Sequence, residues 1–300
     1  MALLTKKGKN VNDIIFDLFI YVICGIIFLI IAYPLYFVVI ASVSDSTLVS
    51  TGKVLLFPKG FSLFGYNEIF QDARIWVGYK NTMIYSLLGT FVNLLLTLPA
   101  AYVLSRKEFR ARRILMFFFV FTMFFNGGLI PTYLLMKDLQ LIDTMWVFII
   151  PFSVNVFNLI ITRTFFETSI PNELYEAASI DGCNHFTFFL KVVLPLSKAV
   201  VSVIGLYYLV WHWNDFFTGL IYIRDYSLQP LQIVLRDILL SNQVFAEGAG
   251  SGGAAGGYAQ RYADQIKYGV IIISTLPILI VYPFIQKYFE KGVMIGSVKG

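Results

Sequence analysis

Six stretches of apolar residues, each long enough to cross a lipid bilayer, leave this chain few folds to choose from. A hydrocarbon core of roughly 30 Å takes about 20 apolar residues in helical conformation. By that measure spans fall near residues 14–41, 82–104, 114–136, 145–166, 198–222 and 268–289. No water is available inside the bilayer for unpaired backbone groups, so runs of this length read as helices. Pro34, Pro99, Pro151, Pro277 and Pro283 lie within or beside them, and neighbouring helices can satisfy the backbone groups they free. The expected fold class is all-α and polytopic, one transmembrane domain over residues 1–300. Only 14% of residues are charged against about a quarter in soluble domains, and 29 Phe and 18 Tyr suit contact with lipid and its interfaces.

Basic residues orient the spans. Lys6, Lys7 and Lys9 precede an apolar run too long for a cleaved signal, so it reads as a retained first helix. The short loop 105–113 carries Arg106, Lys107, Arg110, Arg112 and Arg113, and such loops face the cytoplasm. Both termini are then cytoplasmic, and the long segments 44–80 and 224–266 are external. The net charge of +5 is thus an orientation signal and not a nucleic-acid footprint. The run Glu247–Gly257, rich in Gly, Ala and Ser, reads as a flexible connector or as a finger reaching an external partner. Cys24 falls within the first apolar run and Cys183 in a cytoplasmic loop, which excludes a bridge between them. Two histidines and no Cys/His cluster offer no metal site.

The segment from Ser169 to Gly182 reads as a short helix in a cytoplasmic loop. Pro171 suits a first turn, Glu173 the positive helix end, and Gly182 a left-handed stop. Leu174, Ala177 and Ala178 share one face, where small alanines would let another protein approach closely. Asn184 can cap a second helix, to Val193, ended by Leu194-Pro195. Periodicity alone describes an ordinary interfacial element. In the fifth span Tyr208, Trp211, His212 and Asp215 fall on one helical face, with Trp213 and Asn214 beside it. They read as a path for a polar solute, or as interfacial anchors around a structural acid. Asn126, Asn155 and Asn158 could line the same path, or serve as packing glue between helices.

The spacing of the loop is more specific than its periodicity. Glu176-Ala177-Ala178, three residues, Gly182, nine residues and Val192-Val193-Leu194-Pro195 resembles the coupling loop of binding-protein-dependent ABC importers. That pattern is Glu-Ala-Ala, three residues, Gly, nine residues, Ile, any residue, Leu-Pro; Val192 for Ile is the one departure. Ile180-Asp181-Gly182 resembles the carbohydrate branch, while Gly128–Tyr133, Trp213-Asn214-Asp215, Pro230-Leu231-Gln232 and the tail Gly292–Gly300 are similar to permeases for oligosaccharides and polysaccharide fragments. The resemblance implies a permease core over 78–289 with a coupling loop at 167–197, in a multi-pass protein of the bacterial cell membrane. It implies that Glu173, Glu176, Ala177, Ala178, Asp181, Gly182, Val192, Leu194 and Pro195 form the ATPase-coupling element. Implied partners are a second, non-identical permease, two cytoplasmic ATPase subunits and an external solute-binding protein. The tail would contact the ATPase pair. No Gly-x-x-x-x-Gly-Lys-Ser/Thr loop is present, so the chain itself is not the ATPase, and ATP and Mg²⁺ would be bound by its partners, with no cofactor in this chain. A stand-alone channel or secondary transporter lacks a use for the coupling loop, and no internal repeat supports one. A membrane enzyme would need paired carboxylates, metal ligands or a nucleophile–base pair, and the spans hold none. A permease of the same superfamily for another solute class is the nearer alternative.

Overall fold

The computed structural model describes residues 11–248, 263 and 266–283, and all regular structure among them is helical. In chain order the helices are α1 (Val11–Ser42), α2 (Ser46–Ser50), α3 (Phe64–Gln71), α4 (Ala73–Ser105), α5 (Arg112–Phe124), α6 (Leu129–Asp138), α7 (Val156–Ser169), α8 (Asn172–Ile180), α9 (His185–Leu196), α10 (Lys198–Trp213), α11 (Phe216–Tyr222), α12 (Leu231–Gly248) and α13 (Ile266–Pro283). Single 3₁₀ turns lie at Met145–Phe148 and Tyr226–Leu228.

The all-α class holds, but the expected six continuous spans do not appear among the described residues. Three helices are long and apolar enough to cross a bilayer unbroken: α1, α4 and α13. Two more candidates are bent pairs, α5–α6 at 114° and α9–α10 at 84°. Each departure has a local cause. The run 114–136 breaks at Gly128, whose φ of +85° is cheap only without a Cβ; the Asn126 carboxamide oxygen accepts from its N–H at 3.0 Å. The run 145–166 is interrupted before α7, where Phe152 has a φ of +59° and Pro151 lacks an N–H. Asn155 then caps α7, accepting from the Asn158 N–H at 3.1 Å. The run 198–222 is cut at Asn214, and the Asp215 carboxylate starts α11 by accepting from the Thr218 N–H at 3.1 Å.

Helix α4 begins earlier than hydropathy alone suggests. Asp72 caps it, and its ion pair with Arg74 at 2.6 Å holds the Asp72 carboxyl below its ordinary range. At 33 residues α4 is about 50 Å long, so roughly 20 Å of it outruns a hydrocarbon core. The segment 224–266, expected to be external, contains α12. Beyond Gly248 the glycine-rich run lies outside the described residues, as does the tail 284–300.

The chain divides into two compact units. The first comprises residues 1–71 and 239–273. There the Tyr66 hydroxyl donates to Ser42 Oγ at 2.8 Å, and the Tyr33 hydroxyl to the Leu55 carbonyl at 3.2 Å, folding the 43–63 segment back on the end of α1. The α1 span turns exposed apolar side chains outward all round, as a helix solvated by lipid does.

The second unit comprises residues 72–238 and 274–300. Its core packs α4 against α7 and α10, with Ala101, Leu159, Phe166, Phe188, Val193 and Ile204 fully buried or nearly so. At one end of α4 the Asn81 amide donates to the carbonyls of Ser227 and Gln229 at 2.8 and 3.0 Å. Beside it the Tyr85 hydroxyl donates to the Leu228 carbonyl, and the Leu231 N–H donates to Thr82 Oγ1. The other end carries α8 and α9.

Candidate functional site

Helix α8 is only nine residues long, too short to persist without tertiary support. Its stop is defined by backbone geometry. Gly182 has a φ of +77°, its N–H donates to the Ser179 carbonyl at 3.0 Å, and the Cys183 N–H donates to the Ala178 carbonyl at 2.9 Å. These two bonds make a Schellman cap, which requires the left-handed conformation that glycine adopts without a Cβ penalty.

Tyr175 and Ala178 turn toward the core, while Glu173, Leu174, Glu176, Ala177 and Ile180 face outward. The expected face of Leu174, Ala177 and Ala178 is therefore split: Ala178 follows Tyr175 inward at i+3, and Ile180, 88% exposed, joins Leu174 and Ala177. The result is a small apolar ridge rimmed by Glu173, Glu176 and Asp181.

Aromatic contacts anchor this helix. The Tyr175 ring stacks on His185 with centroids 4.3 Å apart, and its hydroxyl lies 2.9 Å from His185 Nε2. The other ring nitrogen, Nδ1, lies 3.2 Å from the Tyr102 hydroxyl of α4. Arg106, at the end of α4, sits over the faces of Tyr102 and Phe188 at 4.7 and 5.4 Å. Tyr102, Tyr175 and His185 were not singled out by sequence reasoning, and Arg106 was read only as an orientation signal. Tyr175 and His185 are ten residues apart in a loop, and their pairing arises only once the Gly182 cap turns the chain.

Helix α9 opens as expected, with the Asn184 side chain accepting from the Thr187 N–H at 2.8 Å. It does not end at Leu194-Pro195 but continues to Leu196. Pro195 has no N–H for the carbonyl four residues back, and the helix carries that mismatch as a wider π turn over Phe189–Val193. Val192 and Leu194 pack against the core, so the candidate coupling residues divide. Glu173, Glu176, Ala177, Asp181, Gly182 and Pro195 are exposed, whereas Ala178, Val192 and Leu194 support them from behind.

The candidate path residues are also divided. Tyr208 is 1% exposed; its hydroxyl is 2.8 Å from Thr97 Oγ1 and accepts from the Asn155 N–H at 3.1 Å, tying α10 to α4 and to the start of α7. His212 is buried against Gly89, where an added Cβ would fall 2.4 Å from Nε2. Trp213 is buried and donates from Nε1 to the Ser274 carbonyl at 3.0 Å. Trp211 and Asn214 face outward, and Asn214 donates to the Val210 carbonyl at 2.8 Å. Because α10 ends at Trp213, Asp215 lies beyond it and does not share a helical face with Tyr208 and Trp211. Asn126 and Asn155 are exposed turn and cap residues, and Asn158 is buried between helices.

Sequence reasoning also missed a polar stripe on α4: Ser86, Thr90, Asn93 and Thr97, at helical spacing within an apolar helix. The Asn93 Oδ1 lies 3.5 Å from His212 Nε2, a long contact. Ser86 Oγ, Thr90 Oγ1, Asn93 Nδ2 and His212 Nδ1 are buried with no hydrogen-bond partner among the described residues. The stripe was legible as a three-and-four-residue recurrence of small polar groups between Leu and Phe.

Comparison with known proteins places this geometry in a family. The model of the "binding-protein-dependent transport system inner membrane component" family matches residues 75–295. The chain is 41% identical to the polygalacturonan/rhamnogalacturonan transport system permease protein YtcP of Bacillus subtilis, over 95% of this chain and 99% of that protein. It is 39% identical to the LplC protein of the same organism, over 99% and 97% of the two chains. Among solved structures, a chain of a bacterial ABC transporter involved in the import of the acidic polysaccharide alginate superposes with a TM-score of 0.82. Identity to that chain is 33%, with 94% of this chain and 99% of that one covered. Motif spacing, helical architecture and sequence similarity agree: this chain belongs to the family of inner membrane components of binding-protein-dependent transport systems.

Proposed function

We propose that this chain imports an acidic oligosaccharide, a fragment of a uronate-rich polysaccharide, as one of two different permeases in an ATP-driven complex. An external binding protein would deliver the sugar, and two cytoplasmic ATPases would dock on α8 and its counterpart in the second permease. ATP and Mg²⁺ would sit in those ATPases, and this chain would do no bond-making chemistry. The observation carrying the coupling role is the exposed ridge of Leu174, Ala177 and Ile180, rimmed by acids and set by the Gly182 cap. Support for the substrate class comes from the names of similar proteins, which concern polygalacturonan, rhamnogalacturonan and alginate.

Closing of the ATPases would push on α8, and the stacked Tyr175–His185 pair would pass that motion to α4 through Tyr102. Trp211, Asn214, Asn126 and Asn155 are the path candidates open to a solute, while Tyr208 and His212 would serve to hold α10 on α4. Both termini, α8 and the loop 105–113 would be cytoplasmic, by the distribution of Lys and Arg. In this reading the glycine-rich run meets the binding protein and the C-terminal tail meets the ATPases.

The test is ATP hydrolysis by the reconstituted complex with its binding protein. Oligogalacturonides or alginate oligomers should stimulate it, and neutral malto-oligosaccharides should not. Stimulation by neutral sugars alone, or by no sugar, would overturn the substrate assignment. A stable, active complex containing two copies of this chain and no second permease would overturn the pairing.

A further inference from the structure

Beside α8 lies a buried cation with no ion-pair partner among the described residues. Arg106 is 4% exposed, and its Nε and Nη2 make no hydrogen bond among the described residues. The rings of Tyr102, Tyr175 and Phe188 stack on the guanidinium, and neither Nε nor Nη2 finds an acceptor among the described residues. Buried guanidinium N–H groups are costly to leave unpaired, because desolvation is not returned by any bond.

Arg106 lines a cavity of about 250 Å³ together with Lys107 and Arg112. A second cavity of about 240 Å³ shares Arg112 and adds Arg113 and Arg163. The acid lining the first cavity is Glu167, which is already engaged: it accepts from Arg163 at 2.6 Å and lies 3.6 Å from Arg112. Asn172, the first residue of α8, closes the wall, and that helix has no side-chain cap on its positive end. Room, excess positive charge and an unpaired planar donor fork coincide here, which is how proteins bind a tetrahedral oxyanion.

We propose that this cavity binds a phosphate group, with Arg106 as its buried donor and Lys107 and Arg112 as flanking cations. The surroundings favour the phosphate of an anionic phospholipid. Helix α5 starts at Arg112 and turns Ile114, Phe117 and Phe118 outward, a surface for acyl chains directly beside the basic residues. Basic pockets at the ends of membrane helices hold lipid headgroups by this combination. The phosphate chemistry stands on geometry alone; assigning it to the cytoplasmic leaflet rests on the orientation proposed above.

Native mass spectrometry of the delipidated complex, titrated with short-chain phosphatidylglycerol, phosphatidylcholine or inorganic phosphate, reads the site without any transport assay. Phosphatidylglycerol should be retained, and binding should fall about tenfold in Arg106→Gln and in the double variant Lys107→Gln/Arg112→Gln. The double variant leaves the aromatic stack intact and so covers the case in which Arg106→Gln unsettles it. Arg224→Gln, an exposed arginine outside both cavities, should bind as the wild type does. Retention of phosphatidylglycerol without inorganic phosphate identifies a lipid site; Arg106-dependent binding of inorganic phosphate identifies a free-anion site. Equal retention of phosphatidylcholine and phosphatidylglycerol, no anion binding by the wild type, or losses matched by Arg224→Gln would overturn the proposal.

Discussion

The two ends of the α4–α7–α10 unit are built differently. At one end the backbone of 227–231 is tied to α4 by Asn81, Tyr85 and Thr82, each aimed at a main-chain group. Across that same end the Asp143 carboxylate accepts from the N–H groups of Arg224 and Asp225. At the other end α8 has no fully buried residue of its own and is held by ring contacts of Tyr175, the packing of Ala178 and one glycine cap. Hydrogen bonds to the backbone fix position in three dimensions, whereas a stacked ring slides at little cost. The contrast suits the proposed reading, in which the first end keeps its position while α8 moves under load from a partner.

The largest effect should come from breaking the cap. Proline at Gly182 cannot reach a φ of +77° and removes the donor to Ser179, a local cost of about 3 kcal/mol or more. Gly182→Pro should abolish transport and ATPase recovery while membrane insertion is unchanged. Glu176→Lys, which reverses charge on the ridge's rim, should do the same without unfolding α8. Normal transport by both variants would remove α8 from the mechanism.

Next in size is the tied end. Asn81→Ala leaves the Ser227 and Gln229 carbonyls without their buried donor, at about 2–3 kcal/mol. The detergent-solubilised protein should melt earlier, with ATPase recovery preserved. A loss of ATPase binding with unchanged melting would reverse the assignment of the two ends. Tyr175→Phe is gentler: the stack remains and one hydrogen bond to His185 is lost, about 0.5–1 kcal/mol. Faster amide exchange confined to 172–183 is the expected signature; exchange spread through α4 would mean the anchor is not local.

These ends were unequally legible in the sequence. The Gly182 stop, the Asn184 cap and the Glu173 position follow from local backbone chemistry, so spacing alone located α8. Arg106, Tyr102 and His185 act across distances that spacing does not encode, and the anchor of α8 was invisible for that reason. Hydropathy placed α1 and the C-terminal end of α4 well, but started α4 nine residues late and counted 114–136 and 145–166 as straight helices. Averaging over a window hides Gly128 and Phe152, where one φ redirects the chain. Asp215 was assigned to the face of Tyr208 for the same cause: periodicity ran on past Trp213, where the helix does not.

The smallest effect concerns acidity at the tied end. The N–H groups of Arg224 and Asp225 hold the Asp143 carboxyl below its ordinary value of 3.8. A depressed folded value contributes stability that is present above the unfolded value and lost as pH falls through the folded one, so the window lies below about pH 4. Asp143→Asn should lower melting by a small constant amount across pH 5–8 and converge on the wild type below about pH 4, so that its acid limb is flatter; a difference that widens as pH falls would contradict that assignment.

The central claim, that the exposed face of α8 is where the ATPase docks, is tested most directly by accessibility at Ile180. With Cys24 and Cys183 replaced by alanine, Ile180→Cys carries a lone thiol on the ridge. A membrane-impermeant maleimide applied to inside-out vesicles should label it only after the ATPases are stripped, and a short bifunctional reagent should join it to an ATPase subunit in the intact complex. Equal labelling with and without the ATPases, or labelling from the external face of right-side-out vesicles, would contradict the account.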